Sequence, residues 1–223
     1  MRRRERWIKH YSSSQKILLV GEGDFSFSAS LASAFRFSVN MVATSLDSKG
    51  MLLAKYGRTC KERLQKLEKT GCLVLHQVDV HDMNRHPILK DMKFEVIVYN
   101  FPHAGHFGIP ESHPRLIEMH KDLLRAFFTS ARELLAEGGE VHVTHRDDSP
   151  YNKWKVEELA REKDLVSKEK VVFTKGDYPG YNNKRGSRVR ANRTFPLKDC
   201  FTFKFSLLEM DTVANRLGDS LGC

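Results

Sequence analysis

Several short stretches of the 223-residue chain hold side chains with chemistry to offer. Gly21-Glu22-Gly23-Asp24-Phe25 follows the apolar run Ile17 to Val20 and opens a segment in which Phe27, Leu31 and Phe35 recur at helical spacing. A strand, a tight glycine turn and a helix start bring backbone close to a ligand, and a Cβ would obstruct both the turn and the approach. An ordinary strand-to-helix turn also uses glycine, for geometry alone, so the turn by itself leaves both readings open. Asp47 follows at roughly the 20-residue distance at which an acidic residue takes a ribose diol, though it could equally cap the next helix. Asp79 closes a third apolar run, where a carboxylate could accept from an adenine amino group. Asn100-Phe101-Pro102-His103 ends a fourth run and makes a rigid polar mouth, with proline restricting the backbone. Lys184, Arg185, Arg188, Arg190, Arg193 and Lys198 form a late basic run containing no acidic residue up to Lys198.

Elements that could position these groups are legible around them. Ile17 to Val20, Ser38 to Ser45, Cys72 to Gln77, Phe94 to Tyr99, Glu140 to Thr144, Leu165 to Phe173 and Cys200 to Leu208 read as strands. Segments 24–35, 50–70, 116–136 and 151–163 read as helices. In the third, Leu123, Phe127, Ala131 and Leu134 share a face, and Gly138-Gly139 ends it. The last strand alternates most cleanly, with Phe201, Phe203, Phe205 and Leu207 opposite Thr202, Lys204 and Ser206. Strand and helix alternate for most of the chain, without repeats or low-complexity linkers, which predicts an α/β domain with a largely parallel sheet. The expected organisation is a basic, solvated arm over 1–15, the domain over 16–208 and a tail without a packing pattern over 209–223.

Charged residues make up 29% of the chain and apolar residues 40%, an ordinary globular balance. No apolar run approaches the roughly 20 residues of a membrane span, so no membrane partner is expected. The basic start has no apolar segment behind it, and the four cysteines form no CxxC, so a reducing intracellular setting is expected. A net charge of +9 favours an anionic partner, nucleic acid being the commonest. His103, His106 and His113 match no compact ligand spacing, and no metal is expected.

Ligands of open α/β sheets bind beyond the carboxyl ends of the strands, and Gly21 to Ser26, Asp47, Asp79, Asn100 to His103 and His145 to Asp148 all fall at such ends. Ser26 stands where the dinucleotide fingerprint needs a third glycine. Bulky Phe25 and acidic Glu22 flank a turn that a pyrophosphate would want bare. An anionic Glu22 suits a cationic ligand, which favours S-adenosylmethionine, with its ammonium and sulfonium, over a nicotinamide cofactor.

The combination VGEGDFSFS, ATSLDS, NFPHAG and DYPGY resembles the ribosomal RNA uridine-N3 methyltransferase-like domain family, from about Ile17 to Phe205. The resemblance implies a Rossmann-like class I methyltransferase fold, mostly parallel and seven-stranded, with a C-terminal antiparallel strand and helices on both faces. It implies S-adenosylmethionine as methyl donor and, in the characterised branch, N3 of a uridine in large-subunit ribosomal RNA as acceptor, with a nuclear, nucleolar or cytoplasmic setting of which the nucleolus is favoured. By position, Gly21, Glu22, Gly23 and Phe25 would form the cofactor turn, Asp47 would take the ribose, Asp79 the adenine side, and Asn100 would border both cofactor and base. Asn100, Phe101, Pro102 and His103 fall where base-modifying methyltransferases hold the target, an Asn pairing with a base edge and an aromatic stacking on its face. Uracil N3 must lose a proton, for which His103 is the candidate base and Asp177 the second. Tyr178 and Tyr181, with Lys184, Arg185, Arg188 and Arg190, would line an RNA-contacting rim by stacking and phosphate contact. Methylation of another RNA base, or a non-catalytic RNA-binding module on the same fold, are the alternatives.

Overall fold

The computed structural model describes residues 4–186 and 190–208, so Arg188 and the tail expected over 209–223 lie outside the described residues. The strands are β1 (Trp7–Ile8), β2 (Tyr11–Ser12), β3 (Ile17–Val20), β4 (Met41–Ser45), β5 (Leu73–His76), β6 (Phe94–Asn100), β7 (Leu135–Arg146), β8 (Leu165–Val172) and β9 (Cys200–Leu207). The helices are α1 (Ser26–Phe35), α2 (Lys49–Thr70), α3 (Pro114–Leu134) and α4 (Val156–Arg161).

All four residues of β3 are buried, as a continuous apolar run in the middle of a parallel sheet requires. Alternate residues of β3 feed different cores. Ile17 and Leu19 pack with Phe27, Leu31 and Phe35 of α1 and Leu64 of α2, whereas Leu18 and Val20 pack with Phe127 and Phe128 of α3 and Leu159 of α4. Each such side chain contributes about 1.5–3 kcal/mol by leaving water. The sheet thus carries helices on both faces.

Its order is β5-β4-β3-β6-β7-β9-β8. The strands from β5 to β7 are parallel, and β9 inserts antiparallel between β7 and β8. Because β9 opposes both neighbours, β8 points the same way as β3, and its exit shares the edge with Gly21, Asp47 and Asn100. From β3 the chain adds β4 and β5 on one side and then β6 and β7 on the other, so the order of strands switches beside β3 and creates a crevice there.

Several expectations change in detail. The 7–12 segment is a hairpin rather than a solvated arm: Tyr11 is 1% exposed, meets Phe27 edge-on and lies beside Tyr178. A domain boundary at residue 16 would therefore cut through the core. β7 begins at Leu135 and carries Gly138-Gly139 inside it, where a Cβ on Gly139 would come within 3.0 Å of Phe94 and Ala136 carbonyl oxygens. The expected helix over 151–163 is a 3-10 turn at Tyr151–Trp154 followed by the short α4, with Lys155 between them in the left-handed region. In β9 Thr202 and Lys204 are buried as well as Phe203 and Phe205, since β9 is an interior strand covered on both faces.

Candidate active site

Gly21 turns the chain out of β3 at φ +66, a conformation that disfavours any Cβ. What a Cβ would strike is the Tyr99 ring, 2.5 Å away, and for Gly23 it is the Tyr56 hydroxyl at 3.2 Å. The glycines therefore admit two tyrosines of the protein itself against the turn. Phe25, also left-handed at φ 58, is fully buried and meets His76 at the end of β5.

Glu22 is turned inward and is 8% exposed. Its carboxylate accepts from the Ser28 backbone N–H at 3.2 Å and the Ser28 hydroxyl at 2.7 Å. Asp24 accepts from the Ser26 N–H at 3.0 Å and pairs with Arg63 at 2.5 Å. Two donors of the first turn of α1 are thus satisfied by the protein's own carboxylates, which removes part of the usual anion seat of a helix start. Burial, opposed by the Ser28 hydrogen bonds, raises the Glu22 carboxyl to about 7. The sequence argument that Glu22 offers a charge to a cationic ligand is corrected accordingly: its oxygens face α1, and near neutral pH its charge is only partly present.

Asp47, just beyond β4, receives Lys55 Nζ on both oxygens, at 2.8 and 2.7 Å, and the same ammonium lies 3.4 Å from the Gly186 carbonyl oxygen. Asp79 is engaged by His81, through its backbone N–H at 3.0 Å and its Nδ1 at 2.6 Å. Although burial raises the Asp79 carboxyl, those His81 hydrogen bonds outweigh it and hold the group low.

Asn100 ends β6 with its Oδ1 buried and without a hydrogen-bond partner, and the buried Tyr56 hydroxyl and His76 Nδ1 share that condition. A buried polar atom left unpaired costs about 1–3 kcal/mol, so these three, from β6, α2 and β5, hold hydrogen-bonding capacity that the protein's own described residues do not use. Phe101 follows at φ 50, with its N–H donating to the Thr144 carbonyl at 2.7 Å. Its ring meets Phe173 and Phe195 edge-on, so part of the surface expected for base stacking is used within the protein. Pro102 is buried beneath the mouth.

His103, His106 and Glu111 come together with ligating atoms within 4.8 Å of one another, although their sequence spacing suggested no cluster. His113 is elsewhere, at the start of α3, accepting from the Arg115 N–H. Asp177 is 2.8 Å from Lys9 of the N-terminal hairpin, a pairing that takes up the carboxylate expected as second candidate base. Tyr178 and Tyr181 are 3% and 8% exposed and pack on Phe27 and Phe173. Stacking on RNA needs an open ring face, so this expectation is corrected: both tyrosines are core. They anchor the segment instead, for Asn182 N–H donates to Ser26 Oγ at 2.9 Å and ties it to the glycine turn. Lys184 pairs across a short hairpin with Thr194, and Arg185, Arg190 and Arg193 are exposed on it.

Sequence reasoning missed Lys55, Tyr56, Glu111 and His120. His120 left a usable signal, a lone polar residue on the buried stripe Ile117, His120, Leu124, Phe127 of α3. The others carry no local signature, because only the tertiary fold brings them to the sheet edge.

Sheet order, switch point and glycine turn define a class I, S-adenosylmethionine-dependent methyltransferase fold. Solved structures agree on the fold: TrmN from Thermus thermophilus (TM-score 0.55, 17% identical, covering 87% of this chain and 44% of that one) is one. Another is an S-adenosylmethionine-dependent methyltransferase from Clostridium acetobutylicum (0.51, 14% identical, 86% and 83%). The family described as BMT5-like, rRNA (uridine-N3-)-methyltransferase BTM5-like, matches residues 18–185, and the chain belongs to it. An uncharacterized protein of Arabidopsis thaliana is 45% identical, covering 91% of this chain and 97% of the relative. Heavy metal-associated isoprenylated plant protein 41 of Arabidopsis thaliana is 47% identical over 90% of this chain, which spans only 39% of that relative's length. The 25S rRNA (uridine(2634)-N(3))-methyltransferase of Saccharomyces cerevisiae is 27% identical over 86% of this chain and 72% of its own.

Proposed function

We propose that this chain methylates N3 of a uridine in large-subunit ribosomal RNA, using S-adenosylmethionine. The observation that carries the reading is the buried, unpartnered Asn100 Oδ1 at the end of β6, beside the switch point, in a chain of the uridine-N3 methyltransferase family. The residues present fit the cofactor: the Tyr56 hydroxyl and Asn100 Oδ1 await polar partners, and Asp47 at the end of β4 would take a ribose diol by sharing or exchanging its Lys55 pair. When bound, the cofactor supplies a methyl group on a sulfonium, poised for in-line displacement. The chain's own task is then to align the acceptor, exclude water and remove the N3 proton.

Asn100 is suited to hold the cofactor or the base edge, and His103 is the group on the mouth loop that can take a proton. The exposed Arg185, Arg190 and Arg193 lie on a hairpin tied to the cofactor turn through Asn182 and Lys55, which suits phosphate contacts around a base presented at Asn100. An rRNA target fits the net charge of +9, and the nucleolus is the place of action that the family resemblance favours. Incubating the protein with labelled S-adenosylmethionine and large-subunit rRNA from cells lacking it should put label into N3-methyluridine. Label in another nucleoside would shift the reading to a different base, and absence of label would leave an RNA-binding module.

A further inference from the structure

Glu111 has no role in the reading so far, yet three histidines converge on it. His103 Nε2 lies 3.1 and 3.3 Å from its two oxygens, His106 Nδ1 3.2 Å from Oε1, and His120 Nε2 3.5 Å from Oε2. His120 is fully buried on α3 and stacks on Trp154 at 4.1 Å. Such a gathering has the outline of a cation site, but the tautomers decide otherwise. Gly105 N–H donates to His103 Nδ1 at 3.0 Å, and Ala104 N–H donates to His120 Nδ1 at 3.0 Å. A nitrogen that accepts from an N–H carries the lone pair, so in each neutral ring the proton sits on Nε2. Only the His103 Nε2–H meets Glu111 in hydrogen-bond geometry; His120 Nε2–H, 3.5 Å from Oε2, is buried and finds no hydrogen-bond partner among the described residues.

We propose that Glu111 is the positioning residue for His103: by accepting from Nε2–H it fixes the ring and places the basic lone pair on Nδ1, facing the mouth loop. The proposal rests on the N3-methyluridine reading. Burial pushes the Glu111 carboxyl up, but the His103 hydrogen bonds and the neighbouring His120 ring outweigh it and hold it well below the usual range, so it is ionised. The other ionisable groups facing the cluster are His106, Tyr151, Arg185 and, through His120, His145. In the reaction the uracil N3–H replaces Gly105 N–H at Nδ1. Its proton passes to Nδ1, and the electron pair left on N3 forms the new N–C bond as the carbon–sulfur bond breaks. The imidazolium is then balanced by the Glu111 carboxylate, which stays unprotonated.

The test compares wild type with Glu111→Gln and Glu111→Ala, both checked for folding by thermal melting. At pH 7 the variants should lose about 10- to 100-fold in kcat, with KM for RNA within about twofold, a loss below the roughly 100- to 10,000-fold contribution of a whole general base, because His103 itself remains. Their deficit should shrink as pH rises, because uracil N3 then ionises without help. A deficit that is constant with pH, or none, overturns the proposal, as does an equivalent of zinc that the variants no longer hold. An independent reading comes from imidazole proton–nitrogen spectra of the free protein. They should show Nε2–H at His103 and His120 in wild type, with mixed tautomers at His103 in Glu111→Ala. Nδ1–H at His103 in wild type would refute the proposal whatever the activity. Wild type making no N3-methyluridine would instead refute the functional reading.

Discussion

Glu22 gives the sharpest quantitative prediction. Its carboxyl is raised from 4.5 to about 7, chiefly by burial, with the Ser28 hydrogen bonds opposing. The folded state therefore binds this proton more tightly than the unfolded chain. The associated stability is fully present below about pH 4.5 and is lost as pH rises through about 7. At about 1.4 kcal/mol per pH unit, the whole effect is about 3 kcal/mol. His10 and His145 work in the opposite sense. Burial lowers them to about 3 and about 4, so their contribution is present above their ordinary 6.5 and is lost as pH falls. A wild-type stability curve mixes these terms, and the difference between wild type and Glu22→Gln separates them. Gln keeps an oxygen for Ser28 but never ionises. Urea unfolding at pH 5 and pH 8 should show the variant gaining about 2.5 kcal/mol on wild type between the two, since part of the effect is already lost by pH 5. A difference that does not change with pH would refute the placement of Glu22 as a buried acid.

Asn100→Ala removes an orphaned buried oxygen, so methyl transfer should fall at least tenfold while the melting temperature holds or rises; a parallel loss of both would make Asn100 a structural residue. Arg185, Arg190 and Arg193 changed together to Gln should weaken RNA binding and reduce the slope of log affinity against log salt by about 2, read from titrations at several salt concentrations. An unchanged slope would remove the hairpin from the RNA interface. Gly21→Ala, with φ +66 and a Cβ 2.5 Å from Tyr99, should cost about 2–4 kcal/mol by denaturant unfolding. Loss of cofactor binding without loss of stability would return that glycine to the ligand.

Strand positions were readable because a parallel sheet buries both faces of its strands, and runs such as Ile17 to Val20 and Phe94 to Tyr99 write that directly into sequence. The ends of those runs nominate the candidate site for the same reason: ligands of such sheets gather at carboxyl ends, and Asn100 sits at one. Side-chain direction was less legible. Glu22 and Tyr181 have the types of ligand-facing residues, but the helix start at Ser28 and the aromatic cluster around Phe27 and Phe173 claim them. Those competitors come from packing, and spacing along the chain does not encode them. Lys55 reaches Asp47 from the second turn of α2, and Glu111 gathers histidines from a loop and a helix, so both were visible only after folding. The N-terminal hairpin was misread because Trp7-Ile8 and Tyr11-Ser12 are too short for a periodic signal, although Tyr11 is buried.

The central claim is that Asn100 and its mouth loop deliver a methyl group to uracil N3 in ribosomal RNA. The most direct test is nucleoside mass spectrometry of large-subunit rRNA from cells lacking the protein, complemented with wild type or with Asn100→Ala. The account predicts that N3-methyluridine is lost from the null, restored by wild type and not restored by Asn100→Ala. N3-methyluridine at unchanged level in the null, or full restoration by the variant, would contradict it.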